Sequence, residues 1–192
     1  MQCRVLLPLR DRSRFIAGYI AVALSITSVH AQTPTPPEGE SVSVTLNAVT
    51  TSGIGEPVAR AELVQAPEGL QIVIVGTRLP VGPHGFHVHE TGNCGPKEKD
   101  GKLEAAGAAG GHYDPEQTGK HAGPDRGGHK GDLPLLNITK DGDQQRSAFV
   151  VRGLTLAEIR GRSLIIHAGG DTYSDEPPMG GGGARIACGV IP

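Results

Sequence analysis

The chain has 192 residues, 18 Lys plus Arg against 20 Asp plus Glu, and a formal net charge of -2, which is the size of one domain. Its 29 Gly and 15 Pro make 44 residues, about 23% of the chain against a usual sum of roughly 12%, which argues against a large helical bundle yet stays short of low-complexity disorder. Hydrophobic residues are 37%, with three Phe, three Tyr and no Trp, so a core must come from Val, Ile, Leu and Ala on short strands, and no basic excess points to nucleic acid.

In chain order, Arg4, Arg10, Arg12 and Arg14, against Asp11, precede an uncharged, mostly apolar stretch at 15–29 that ends in Val29-His30-Ala31. This is the layout of a secretory signal peptide, residues 1–31, with cleavage expected after Ala31. The competing reading is a retained anchor, but about 15 apolar residues fall short of the ~20 that a spanning helix needs. Cys3 has no run of small apolar residues before it, so a lipidated cysteine is not expected and the mature chain should leave the membrane. Removing 1–31 takes away four Arg and one Asp, leaving 161 residues of net charge -5. Two cysteines survive, Cys94 and Cys188, and in a secreted chain an even pair reads as one disulfide, with two free buried thiols as the alternative.

Residues 32–40 (QTPTPPEGE) are Pro-rich and polar, and are expected to form a disordered lead-in to a domain at 41–192. Period-two alternation predicts strands at 41–49 and 69–77, a weaker one at 58–65, and another at 85–90 after the turn signal Val81-Gly82-Pro83. From 91 to 132 the pattern gives way to a long loop rich in Gly, His, Lys and Asp, and a loop of that length is usually functional. Strand signals return at 135–139, at 148–152 after Asp141-Gly142-Asp143, at 163–168 and at 184–191, while 155–160 can make one or two helical turns. A second loop at 169–183 ends in four glycines. The expected fold is all-β: an eight-stranded Greek-key flattened barrel or sandwich with two long functional loops.

Seven histidines follow residue 31: His84, His87, His89, His112, His121, His129 and His167. His87 and His89 lie at i and i+2 of a strand, so both rings leave one face while Phe86 and Val88 point to the other. Alone, such a pair is as readily structural as ligating. His112, His121, His129 and Asp132 follow at spacings of 9, 8 and 3, and three imidazoles plus one carboxylate are the closed four-ligand set of structural zinc. A solvated polar loop is the alternative, but it gives no reason for so many imidazoles. His167 closes the apolar run Leu164-Ile165-Ile166 and, with His87 and His89, offers three imidazoles at one point, a ligand type suited to copper.

GFHVHE at 85–90, GGHYDPEQTGKHAGP at 110–124, GHKGDLP at 128–134, IIHAGGDTYSD at 165–175 and GGGGARIACGVI at 180–191 together resemble the copper/zinc superoxide dismutases of the bacterial periplasmic branch. The likeness covers nearly all of 41–192. It implies one copper per subunit on His87, His89, His112 and His167, and one zinc on His112, His121, His129 and Asp132, with the His112 ring shared. Such a ring must lose both protons, which a dication on each nitrogen makes feasible. The resemblance also implies that Asp171 joins a copper-ligand imidazole to a zinc-ligand one, fixing ring orientation. A turn or capping role is the other reading of Asp171. It further implies that His84 is a hydrogen-bonding strut and that Cys94 and Cys188 form the family disulfide.

The activity implied is a two-step cycle in which Cu(II) takes an electron from one superoxide, releasing dioxygen, and Cu(I) then reduces a second to hydrogen peroxide. Zinc has no redox chemistry and would hold the loop, with His112 available for protonation. Arg185 is the expected catalytic cation for the superoxide anion. Since a chain of net charge -5 repels an anion overall, Lys97, Lys99 and Lys102 are candidate steering residues, against an ordinary solvated loop interleaved with Glu98 and Asp100. A periplasmic or secreted location follows from the leader. The rivals are a non-enzymatic copper and zinc buffer, which would not need Arg185, and a zinc hydrolase, which would need an open zinc position. No motif distinguishes a monomer from a homodimer.

Overall fold

Alternation along the chain sets the strands of the computed structural model, which describes residues 39–75, 78–139 and 146–192. The leader, the lead-in up to residue 38 and the turn at Asp141-Gly142-Asp143 lie outside the described residues. Gly39 and Glu40, at the end of the lead-in, are tied to the fold: the Gly39 N–H donates to the Gln65 carbonyl and the Gln65 N–H to the Glu40 carbonyl.

β1 (Ser41–Thr50) buries Val44 and Leu46 and leaves Ser43 and Thr45 exposed. It turns at Thr51-Ser52 into β2 (Gly53–Ala66), whose pairing runs from Val64 opposite Ser41 to Gly53 opposite Thr50. β2 therefore starts five residues before the weak segment read at 58–65. Its first part is exposed and contains Gly55 and Pro57, so no apolar period marked it. β3 (Gly69–Val75) buries Leu70, Ile72 and Ile74 in the same core, each side chain contributing about 1.5–3 kcal/mol on burial.

β4 (Gly82–His84) and β5 (Phe86–His89) are one run broken at Gly85. The long loop that follows is not wholly irregular. It contains a hairpin of β6 (Lys97–Lys99) and β7 (Lys102–Glu104), turned by Asp100-Gly101 with φ of 52° and 73°. Both strands are almost wholly exposed, so the apolar period is missing, but Asp-Gly with two positive φ values is a favoured hairpin turn. β8 (Leu136–Ile138), β9 (Arg146–Val151), α1 (Leu156–Ile159), β10 (Ser163–His167) and β11 (Arg185–Val190) complete the fold. α1 is a single turn held by a capping box between Thr155 and Glu158.

The principal sheet has the order β5-β10-β11-β1-β2-β3-β9, and β4 pairs with β8. With β4 and β5 as one strand this gives the eight strands of a curled Greek-key barrel, plus the β6–β7 hairpin outside it. Phe86, Val88, Leu164 and Ile166 enter the main core. The alternate residues Ile165 and Cys188 face a smaller cluster with Cys94, Ala106 and Ala109. There Cys94 and Cys188 are disulfide-bonded, Cα to Cα 5.7 Å, tying the long loop to β11. Among the described residues no helix is long and apolar enough to cross a membrane.

Candidate metal centre

Two short loop segments lie along β5 and place the first side chains. The Val88 N–H donates to the Gly131 carbonyl at 2.9 Å, the Tyr113 N–H to the Val88 carbonyl at 2.8 Å, and the Glu90 N–H to the Gly111 carbonyl at 3.0 Å. His112 thereby bridges to His89, and Asp132 to His87. Gly131 is required at this seam, since a Cβ there would stand 2.3 Å from the Val88 carbonyl oxygen. β10 supplies His167 beside them.

The result is a buried cluster of six imidazoles. Ligand atoms of His87, His89, His112 and His167 lie within 4.8 Å of one another, as do those of His87, His112, His121 and Asp132. The second group contains His87, which stacks on His112 with ring centroids 3.9 Å apart, in place of His129. His129 still faces the same oxygen: Asp132 Oδ1 is 3.0, 3.1 and 3.5 Å from the Nδ1 atoms of His112, His121 and His129.

Ring orientation is set from outside the cluster. Carbonyl oxygens only accept, so His89 donates from Nδ1 to Gly110 at 3.0 Å and His167 from Nδ1 to Gly183 at 3.2 Å. Asp171 accepts from His87 Nε2 through one oxygen and from His121 Nε2 through the other, both at 2.7 Å. Each of these four rings therefore turns its remaining nitrogen inward. The Nδ1 atoms of His87, His121 and His129 are buried with no hydrogen-bond partner. Buried nitrogens are rarely left unsatisfied, and inward-facing ring nitrogens are what a metal ion takes up in place of any proton they carry, so the residues fit the two metals.

Burial, with neighbouring cationic side chains, pushes His167 down to about 3 and keeps His89 well below its ordinary value. Burial also takes His112 down to about 4 despite Asp132, and lowers His87 despite Asp171. At His121 burial opposes charging but is outweighed by the carboxylates of Asp132, beside Nδ1, and Asp171, bonded to Nε2, and the ring is pushed up to about 9. Burial likewise disfavours ionised Asp132 and Asp171, yet their histidine partners hold both well below the usual carboxylate range.

Arg185 donates from Nη1 to the Ala106 carbonyl at 2.7 Å and from Nη2 to the Gly110 carbonyl at 2.6 Å. With His89, His112 and His167 it lines a cavity of about 460 Å³. Of the three lysines, Lys99 lines this cavity, Lys97 lines an adjoining one that also reaches Arg185, and Lys102 faces Lys99 across the hairpin. His84 stands apart from the cluster, its ring spanning the His167 and Pro80 carbonyls at 2.7 and 2.8 Å.

Several contributors left no readable signal. The Gly110 and Gly183 carbonyls orient rings, but every residue carries a carbonyl. Glu90 accepts the Gly111 N–H at 2.9 Å, and Asp175 the His121 N–H at 2.8 Å. Gly180, at φ 70°, would place a Cβ 2.2 Å from Asp171 Oδ1 and 2.5 Å from His121 Nε2. The glycine run thus makes room for the Asp171 bridge as well as leading into Arg185.

A Greek-key barrel holding a buried poly-histidine, two-metal centre defines the class. Residues 58–191 match the sequence model of the family described as copper/zinc superoxide dismutase (SODC). A superoxide dismutase [Cu-Zn] of Escherichia coli (strain K12) is 45% identical over 155 residues, covering 80% of this chain and 90% of that protein. The Cu/Zn superoxide dismutase structure from Brucella abortus has a TM-score of 0.76 at 49% identity, covering 80% of this chain and all of that one. The solution structure of the monomeric copper, zinc enzyme from Salmonella enterica has a TM-score of 0.70 at 45% identity, with the same coverage. The chain belongs to the copper/zinc superoxide dismutase family. It is an oxidoreductase of that family, with histidine clusters suited to copper and zinc.

Proposed function

We propose that this chain dismutates superoxide in the bacterial cell envelope, with copper on His87, His89, His112 and His167 and zinc on His112, His121, His129 and Asp132. The observation that carries the assignment is ring orientation: four imidazoles have one nitrogen held by an oxygen on the far side and the other turned inward. His112 lies between the two groups, its Nδ1 3.0 Å from Asp132 and its ring centroid 4.9 and 6.0 Å from those of His89 and His167. Copper, when bound, supplies the one-electron chemistry, and zinc the fixed charge that holds the loop.

The residues do the rest. Arg185 presents a cation at the cavity wall, held there by the Ala106 and Gly110 carbonyls of the loop that the disulfide ties to β11, and draws the substrate anion inward. His112 holds or gives up a proton at Nε2, where burial and the neighbouring rings favour the neutral form. Lys99, and more distantly Lys97 and Lys102, add positive potential along the approach. The leader and the disulfide support a periplasmic site of action.

Metal analysis of the purified chain, paired with dismutation measured before and after selective copper removal, tests this reading. Activity that disappears with copper and returns on its restoration is the expected result. Full copper occupancy without turnover would instead favour a metal buffer, a role with no use for Arg185.

A further inference from the structure

The two halves of the cluster open onto different cavities. The larger, at the Arg185 side, is lined by His89, His112 and His167 and by neither His129 nor Asp132. A second cavity of about 180 Å³ lies on the other side and is lined by His129 and Asp132 but by none of those three. Their charge differs too. The larger cavity carries Arg185 and Lys99 against Glu104, whereas Asp114, Glu116 and Asp125 line the smaller one beside Asp132. Two cations face those carboxylates, Arg152 and Lys130, and Lys130 is already ion-paired with Glu158 of α1.

His129 marks where this second cavity meets the cluster. Among the histidines set around Asp132 it is the most exposed, at 9%, and its unpartnered Nδ1 is the farthest from Asp132 Oδ1, at 3.5 Å. Its backbone is fixed by a bond from its N–H to the Lys120 carbonyl, and its carbonyl accepts from the Asp132 N–H, so the ring is held at the cavity wall. A dication arriving here passes carboxylates, reaches one accessible imidazole, and finds Asp132 immediately behind it.

Building on the zinc set proposed above, we infer that zinc enters through this acidic cavity, with His129 the first ligand it meets, while copper enters from the Arg185 side. The two routes differ in the ligands an arriving ion meets first, His129 and Asp132 on the acidic side and His89, His112 and His167 on the other. Affinity alone would favour copper at both positions, since copper outranks zinc at sites of this kind.

The test uses the full chain stripped of metals, mixed rapidly with zinc alone or copper alone against a chromophoric chelator. Glu116→Gln with Asp125→Asn neutralises two exposed lining carboxylates, and Asn tolerates the left-handed backbone of Asp125. This double variant is expected to slow zinc association about three- to tenfold at low ionic strength, the gap closing with added salt, and to leave copper association unchanged. Arg152→Gln is expected to speed zinc association. A zinc rate indifferent to all three changes, or a copper rate that falls as far as the zinc rate, overturns the port. Zinc stoichiometry at saturation separates this from the underlying assignment: a wild-type chain that takes up no zinc refutes both, whereas full uptake with insensitive rates refutes the route alone.

Discussion

Arg185 and His89 share one acceptor. The Gly110 carbonyl takes a hydrogen bond from Arg185 Nη2 at 2.6 Å and another from His89 Nδ1 at 3.0 Å. The cation proposed to draw in substrate and a ring proposed to bind copper are therefore positioned by the same peptide group, so a shift in one is felt by the other.

Arg185→Gln removes the charge while keeping a donor near Gly110. Loss of a charge-assisted contact of about 1.5–3 kcal/mol predicts a fall of roughly 10- to 100-fold in kcat/KM with copper content retained. Fast-kinetic dismutation alongside metal analysis checks it, and an unchanged rate would remove Arg185 from the mechanism.

Asp171 bridges His87 and His121 through its two oxygens. Asp171→Asn leaves at most one oxygen for two ring donors. Affinity for one or both metals is expected to drop about 10- to 100-fold, as found when partners of ligating histidines are lost. Competition titration with chelators reads this directly. If both affinities hold, Asp171 serves only the turn at Tyr173, whose N–H it also accepts.

Metal uptake should differ in its proton count. In the metal-free chain His121, at about 9, is protonated near neutral pH, while His112 at about 4 and His167 at about 3 are neutral. Zinc must displace a proton from His121, so its affinity should rise with pH up to about 9 and level off above, with about one proton released per zinc near neutrality. Copper added alone should release almost none from its rings, the shared His112 ring losing its last proton only when both metals are bound. Calorimetry in buffers of differing ionisation enthalpy measures both, and equal proton release for the two metals would contradict the prediction.

Replacing Cys94 and Cys188 by serine frees the segment that carries the Ala106 and Gly110 carbonyls. Stability should fall by about 2–5 kcal/mol, and kcat/KM should fall with it because Arg185 loses a fixed anchor. Chemical denaturation and kinetics on the same preparation decide whether the two losses travel together.

Neutralising Lys97, Lys99 and Lys102 to Gln should lower the second-order rate and flatten its decline with ionic strength, Lys99 contributing most because it lines the cavity. An unaltered salt response would leave the hairpin as an ordinary solvated surface.

Residue type carried much of this protein in plain view. Imidazoles two apart on a strand, three more histidines and an aspartate across one loop, a cysteine pair and an arginine after four glycines name the chemistry, because few side chains bind these metals. Alternation exposed most strands for the same reason, as a half-buried strand must alternate. What the linear chain could not express is geometry between distant segments and anything done by the backbone. The start of β2 and the β6–β7 hairpin escaped because exposed strands need no apolar period. The Gly110 and Gly183 carbonyls, which orient two rings, are chemically identical to every other carbonyl until the fold brings them within 3.2 Å. Only the tertiary structure turned His129 towards a cavity of its own, pressed Gly180 against Asp171 and set each imidazole's inner nitrogen, since these depend on distances between residues up to 84 positions apart.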